Sequence, residues 1–183
     1  MRQYTEDELV KRLRDPSTLR DAFAQVVSLY GEKLYWQIRK MVLNHDDAND
    51  LLQNTFLKAW TKIDYFRGDA KLSTWLHKIA INECLTFLHR QRMMNNVSVD
   101  DTDVFILERL KGDIYFDGDE AQMKLQEAIL RLPDKQRLVF NLKYYEEMKY
   151  DDMSDILGTS VGALKASYHL AVKKIEEFLS KDI

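Results

Sequence analysis

The sequence contains few of the residues that cross-link a chain or break a helix. Its 183 residues include one cysteine, two prolines and six glycines. A single cysteine excludes an internal disulfide bond and favours a reducing compartment, so we expect a cytoplasmic protein. The scarcity of proline and glycine favours helices over sheets. We therefore expect an all-α fold.

Long apolar runs and clusters of catalytic residues are also lacking. No run reaches the roughly 18 apolar residues that a membrane-spanning helix needs, and the polar, acidic first residues do not resemble a signal peptide, so no membrane insertion is expected. His77, Cys84 and His89 share one predicted helix, but their spacings of seven and five residues do not converge on one metal ion. Cys84 has no identifiable partner that would activate it as a nucleophile. We expect no catalytic residue, no metal site and no cofactor.

The acidic charge is concentrated in a middle segment. Residues 1–92 hold 15 Lys and Arg against 12 Asp and Glu, a net charge of +3. Residues 93–121 hold 2 against 8, a net charge of −6, and residues 122–183 hold 10 of each. Like charges at this density extend a chain, although a short helix over 103–110 is an alternative. The pattern predicts two small helical domains joined by an acidic linker, which is either solvated or lies in a partner's basic channel.

Four helices are predicted before this linker. Thr5 and Glu8 form a capping box that opens a short first helix, and Asp15-Pro16 opens the second. Apolar residues at helical spacing then predict a third helix over about 46–63 and a fourth over about 73–92. The fourth is apolar around most of its circumference, which indicates a central position in a bundle.

Four more helices are predicted after the linker, and the last two have the form of a helix-turn-helix. Pro133 ends the first of the four. Within residues 150–165, Gly158 supplies the turn and Ser160 caps the final helix. From Ser160 to Lys174 there are three lysines and no acidic residue. Because a solvated helix usually mixes both signs, this favours contact with DNA, although a generic helical hairpin remains an alternative.

The third predicted helix has a leucine in the middle of its polar face. Its inward face repeats apolar residues at helical spacing, and the opposite face holds Asp50, Gln53, Asn54, Leu57 and Thr61. A leucine surrounded by polar side chains suits the centre of a protein interface. One exposed leucine is weak evidence alone, because folded proteins expose many apolar atoms.

Aromatic, basic and amide residues meet around the start of the fourth helix. The loop before it reads Tyr65-Phe66-Arg67-Gly68-Asp69, and the polar stripe of the helix holds Thr74, Lys78 and Asn82. Residues 67–92 contain five basic and two acidic side chains. Such a combination suits unstacked single-stranded bases, which stack on rings and are read along their edges. The alternative is that the aromatic residues are core.

Taken in order, these motifs resemble the extracytoplasmic-function sigma factors of the sigma-70 family. Residues 50–60 look like their polymerase-binding helix, residues 66–82 like their promoter-melting segment, and residues 132–140 and 158–165 like their C-terminal region 4. The resemblance covers about residues 20–92 and 122–180. It implies an initiation factor that carries core RNA polymerase to promoter DNA, with region 2 in residues 1–92 and region 4 in residues 122–183.

The resemblance also implies which residues make each contact. Those expected to dock on the clamp helices of the polymerase's largest subunit are Asp50, Gln53, Asn54 and Leu57. Those expected to capture a flipped base of the −10 non-template strand are Phe66, Arg67, Ser73, Thr74, Lys78 and Asn82. Those expected to contact the −35 element in the major groove are Lys165, Ser167, His169 and Lys173.

Two positions depart from the family pattern. Asn54 stands where the family usually has an acidic residue, and the stretch 166–170 has fewer Ser and Arg residues than usual. The resemblance implies a chain that is monomeric when free and has an anti-sigma factor as a partner. The neutral net charge of residues 122–183 predicts poor promoter binding without polymerase. The alternative is a stand-alone helix-turn-helix regulator with a helical effector domain, which would leave the face from Asp50 to Leu57 without a role.

Overall fold

The computed structural model describes residues 4–95 and 120–180, and all regular secondary structure in these two stretches is helical. The expected all-α class is therefore confirmed. None of the described helices is long and apolar enough to cross a membrane. The elements are α1 (Glu6–Leu13), α2 (Leu19–Val42), α3 (His45–Thr61), α4 (Leu72–Asn95), α5 (Glu120–Leu130), α6 (Asp134–Tyr144), α7 (Tyr150–Leu157) and α8 (Val161–Ser180), with a 3₁₀ turn at Ile63–Tyr65.

The expected acidic linker falls almost entirely outside the described residues. At the two ends of the predicted 93–121 segment, α4 continues to Asn95 and α5 begins at Glu120. The short helix considered for residues 103–110 also lies outside the described residues.

Helices α1 to α4 share one apolar core. Leu9 of α1, Leu34 and Ile38 of α2, and Leu72 and Leu76 of α4 are each at most 1% exposed. Removing one such side chain from water stabilises the fold by about 1.5–3 kcal/mol. Helix α4 packs against both α2 and α3 and also against α7, so its predicted central position is confirmed.

The start of α2 differs from the prediction. The carboxylate of Asp15 accepts hydrogen bonds from the backbone N–H of Ser17 at 2.9 Å and from its hydroxyl at 2.7 Å. These bonds close a local turn, so α2 begins only at Leu19, after Thr18. The capping box of α1 is confirmed, because Thr5 and Glu8 exchange both of its hydrogen bonds.

Helices α5 to α8 form a second group, in which α5, α6 and α8 surround a core containing Ile129, Phe140 and Ala171. The predicted helix-turn-helix geometry is confirmed. Gly158 ends α7 with φ of 63°, a left-handed conformation that glycine adopts readily. The hydroxyl of Ser160 then accepts a hydrogen bond from the Ala163 N–H at 3.3 Å, which caps α8.

The two groups of helices pack directly against each other. Ile81 of α4 is 1% exposed and belongs to a cluster whose other buried members come from α6, α7 and α8. At another point of contact, the Lys40 Nζ of α2 lies 3.3 Å from the Glu146 carboxylate and 4.3 Å from the centre of the Tyr145 ring. The exposed Lys78 of α4 donates a hydrogen bond to the Asp155 carbonyl of α7 at 3.3 Å. The face of α4 around Ile81 is therefore covered by the C-terminal group.

A buried histidine makes the stability of this bundle dependent on pH. His77 of α4 is hydrogen-bonded through Nδ1 to the side-chain amide oxygen, Oε1, of Gln37 on α2. Burial, and then the charge of Lys33, lower the pKa of His77 from 6.5 to about 4, while Asp152 acts in the opposite direction. The folded chain therefore binds this proton less tightly than the unfolded chain, and the neutral ring is the form that fits the core.

We predict that the free energy of unfolding decreases as the pH falls from 6.5 towards 4. The stabilisation from neutral His77 is fully present above pH 6.5, and its loss amounts to at most about 3 kcal/mol. Urea unfolding at several pH values would measure this loss. A His77→Gln variant keeps hydrogen-bonding capacity but does not titrate, so its stability should vary less over the same range. Parallel pH profiles of the two proteins would contradict the assignment.

Candidate functional site

The outward face of α3 gathers the four residues that the sequence predicts to dock on polymerase. Asp50, Gln53, Asn54 and Leu57 are all exposed, and they follow the spacing of one helical face. Leu57 is 62% exposed, whereas the opposite side of α3 is buried in the core. The chain therefore keeps a large apolar side chain in water, surrounded by polar groups, on a helix held by its other face.

Trp60 extends this face, although the sequence pattern gives it no separate role. It is 41% exposed and lies one helical turn after Leu57. The Trp60 ring packs in a T-shaped arrangement against the ring of Phe23, with ring centroids 5.0 Å apart. Its spacing of three residues from Leu57 is the signal that could have identified it. The exposed apolar strip of α3 thus includes both the Leu57 side chain and the Trp60 indole ring, which packs against Phe23.

The six residues predicted at the −10 element do not form one surface. Arg67, Lys78 and Asn82 are exposed and Ser73 is half-buried. Phe66 and Thr74 are each only 8% exposed, so their side chains do not lie on the surface in this structure, and their contact with DNA stays a prediction. Phe66 packs against Trp75, with ring centroids 5.0 Å apart, and thus belongs to the core beneath the loop.

The exposed aromatic side chain of this region is Tyr65. It is 81% exposed, at the end of the 3₁₀ turn that follows α3. Sequence reasoning placed Tyr65 in the aromatic loop but did not include it among the predicted contact residues. Phe66 is buried, so the aromatic ring that is accessible at this loop is that of Tyr65 rather than that of Phe66.

Helix α8 brings together three of the four residues predicted at the −35 element. Lys165, His169 and Lys173 are exposed, and their spacing of four residues keeps them within about 80° around the helix. Ser167 is half-buried and lies roughly 200° from Lys165, so it is not part of the same face. Gly162 belongs to this face as well, and its lack of a side chain leaves room for a close approach.

The two lysines on this face of α8 make only weak contacts within the protein. Lys173 pairs with Glu177 at 3.9 Å, and both side chains are largely exposed. Lys165 lies 5.7 Å from the centre of the Tyr150 ring. Contacts of this kind contribute at most about 1 kcal/mol at exposed sites, so both lysines are available to phosphate groups. Among the described residues, no group of three His, Cys, Asp or Glu side chains could hold a metal ion.

Comparison with known proteins identifies the family. Residues 26–93 match the family model of Sigma-70 region 2, and residues 122–175 match that of Sigma-70 region 4. Over 160 residues the chain is 34% identical to the ECF RNA polymerase sigma factor SigW of Bacillus subtilis, covering 81% of this chain and 84% of that protein. The chain belongs to the extracytoplasmic-function sigma factors.

Further relatives extend the similarity over nearly the whole sigma factor. The chain is 27% identical to the RNA polymerase sigma-H factor of Pseudomonas aeruginosa, and the match covers 97% of this chain and 95% of that protein. Among solved structures, the sigma factor RpoE in complex with the anti-sigma factor NepR from Bartonella quintana superimposes with a TM-score of 0.67 at 26% identity. That match covers 88% of this chain and 98% of RpoE.

These findings confirm the recognition made from the sequence motifs. The sigma factor binds core RNA polymerase and directs promoter-specific initiation of transcription. The alternative of a stand-alone helix-turn-helix regulator is not favoured, because the match to region 2 covers the N-terminal helices that such a regulator would leave without a role.

Proposed function

We propose that the sigma factor attaches to the clamp helices of the polymerase's largest subunit through the exposed face of α3. The observation that carries this proposal is Leu57, an exposed leucine on the same helical face as Asp50, Gln53 and Asn54. Interfaces commonly place an apolar residue at the centre and polar residues at the rim. Trp60 would widen the apolar centre of the contact.

For the −10 element, we propose that the exposed part of the loop and the first turns of α4 hold a base flipped out of the non-template strand. Tyr65 would stack on the base, while Arg67, Ser73, Lys78 and Asn82 would contact its edge and the neighbouring phosphates. Phe66 and Thr74 would support the loop from below. Extruding a base costs a few kcal/mol, and stacking recovers about 1–3 kcal/mol, so opening also draws on contacts with polymerase.

For the −35 element, we propose that α8 enters the major groove with Lys165, His169 and Lys173 facing the DNA. Ser167 would lie at the flank of this contact, since it is half-buried on another side of the helix. The domain assignment follows these roles, with region 2 in residues 1–92, a linker over 93–121, and region 4 in residues 122–183.

Promoter binding would require the two groups of helices to separate. Lys78, one of the proposed −10 residues, donates to the Asp155 carbonyl of α7, and the neighbouring Ile81 is buried beneath the C-terminal group. A DNA strand that follows this face of α4 would meet α7. Contacts that polymerase and promoter DNA make only with the open arrangement would supply the free energy to hold it, which would account for the poor promoter binding predicted for the isolated chain.

Further assignments follow from a relative and from membership of the family. RpoE of Bartonella quintana is in complex with an anti-sigma factor, and we propose that a similar protein restrains this sigma factor. We also propose that it acts in the cytoplasm, without catalytic activity of its own, because it works on RNA polymerase. The free chain would be a monomer.

Run-off transcription with purified core polymerase on a promoter library tests the proposal. The intact sigma factor should select a set of promoters that share −35 and −10 elements. Lys165→Ala should reduce transcription from them about tenfold, as expected for a lost base or phosphate contact. Lys174→Ala is the matched control, because Lys174 is an exposed lysine about 180° around the same helix. Equal losses in the two variants would contradict the proposed orientation of α8.

A further inference from the structure

Helix α1 and Arg14, the residue that follows it, contact the two ends of the loop between the 3₁₀ turn and α4. At one end, the Glu6 carboxylate accepts a hydrogen bond from the Leu72 N–H, the first residue of α4, at 2.6 Å. At the other end, the Arg14 guanidinium donates to the Arg67 carbonyl. The first of these bonds joins residues that are 66 positions apart in the sequence, and the second joins residues that are 53 positions apart. Both bonds are therefore tertiary contacts rather than local turns.

Between these two contacts the loop backbone passes close to α1. Gly68 has φ of 77°, a conformation that residues with a side chain rarely adopt. A Cβ placed there would lie 2.9 Å from Nη2 of Arg14 and 3.7 Å from Cγ1 of Val10. The glycine thus permits both the backbone conformation and the approach of the arginine.

The core holds α1 firmly on its other side. Leu9 is 1% exposed and Leu13 is 4% exposed, and both belong to the core of the N-terminal bundle. Arg14 itself is exposed, so it contributes little to that core. The helix therefore connects a rigid core to a loop whose residues 67–71 are exposed and lie outside any helix.

We propose that Glu6 and Arg14 are positioning residues that hold this loop in the shape needed to capture a −10 base. The inference rests on the proposed −10 role of the loop and extends it to a helix outside the region 2 match, which begins at residue 26. A loop that is already ordered loses less conformational entropy when it binds, so its contacts contribute more to capture. Neither residue needs to touch DNA for this effect.

The test compares Arg14→Ala, Arg14→Lys and Lys11→Ala in holoenzyme assembled with core polymerase. Lys11→Ala removes the same charge from an exposed position on the same helix. The rate of promoter opening is followed with 2-aminopurine in the −10 non-template strand. We expect Arg14→Ala to slow opening about fivefold to tenfold, Arg14→Lys to restore part of the rate, and Lys11→Ala to behave as wild type. Affinity for core polymerase and the urea midpoint of unfolding should be unchanged in all three.

A second pair of variants examines the other contact. Glu6→Gln keeps an oxygen that can accept from the Leu72 N–H, whereas Glu6→Ala removes it. We expect opening to remain near wild type in Glu6→Gln and to slow in Glu6→Ala. Equal rates in the two variants would contradict the role given to Glu6.

Three further outcomes would overturn the role of Arg14, each in a different way. If Arg14→Ala lowers the slope of log affinity against log salt by about 0.9, Arg14 binds a phosphate directly and is not a positioning residue. If Asn82→Ala slows opening while Arg14→Ala matches Lys11→Ala, the inference fails and the −10 assignment stands. If Asn82→Ala and Tyr65→Ala both leave opening unchanged, the −10 assignment is wrong and the inference falls with it.

Discussion

Replacing Leu57 with aspartate is expected to weaken the binding of core RNA polymerase about 30-fold or more without unfolding the sigma factor. Leu57 is 62% exposed, so its removal leaves no cavity in the core. At the centre of an interface, however, the buried aspartate would lack a partner, and losses of 2 kcal/mol or more are typical of such positions, about a 30-fold change in affinity. Titration of labelled sigma factor with core polymerase measures the change directly.

The control for this prediction is Leu170→Asp, the same substitution at another exposed leucine. Leu170 is 47% exposed and lies on α8, in the other group of helices. Its variant should keep the affinity for core polymerase close to that of wild type. Asp50→Lys should give an intermediate loss, because Asp50 lies about two helical turns from Leu57. Wild-type affinity in Leu57→Asp would show that α3 does not dock on polymerase.

The helices of this sigma factor could be predicted because the apolar period and the capping residues that define each helix lie within it or at its ends. The apolar period of α3 separates its buried side from the exposed side that carries Leu57, and the structure reproduces that separation. Gly158 and Ser160 fix the helix-turn-helix through backbone conformation and one capping bond, which are also local. The start of α2 differs from its prediction, since Asp15 can close a turn with Ser17 as readily as it can cap a helix.

The −10 site was less predictable because burial there depends on distant parts of the chain. A sequence pattern shows that Phe66 and Tyr65 are adjacent aromatic residues, but not which of them faces the core. That choice is made by Trp75, against which Phe66 packs, while Tyr65 is left 81% exposed. Likewise nothing near Arg14 in the sequence indicates that its side chain reaches the Arg67 carbonyl.

The packing of the two groups of helices could not be predicted for a related reason. Helix α4 is apolar on most sides, which correctly indicates a central position but does not identify its neighbours. Ile81 is buried by residues of α6, α7 and α8, on the far side of the linker in sequence. The proposed requirement for separation therefore depends on the structure, and it leads to the second large effect.

Cross-linking the two groups of helices is expected to reduce promoter-dependent transcription at least tenfold, with recovery when the cross-link is cleaved. Lys40 and Glu146, whose charged atoms lie 3.3 Å apart, are suitable positions for two cysteines joined by a reducible bis-maleimide. Cys84 should not interfere, because burial, and then the charge of Glu83, raise its pKa from 9.0 to about 12 and keep it protonated. The cross-link holds α7 against α4, so Lys78 and the face around Ile81 stay covered.

Three comparisons distinguish a loss of transcription caused by keeping the α4 face covered from a loss caused by the substitutions or the reagent. The unreacted double variant should transcribe nearly as well as wild type, since a partly exposed ion pair contributes at most about 1 kcal/mol. The single variant Glu146→Cys treated with the same reagent should also remain active. The cross-linked protein should still bind core polymerase, because the α3 face lies open in the closed arrangement. If it binds polymerase and initiates at the wild-type rate, the two groups of helices do not need to separate, and promoter DNA must approach α4 by a route that α7 leaves free.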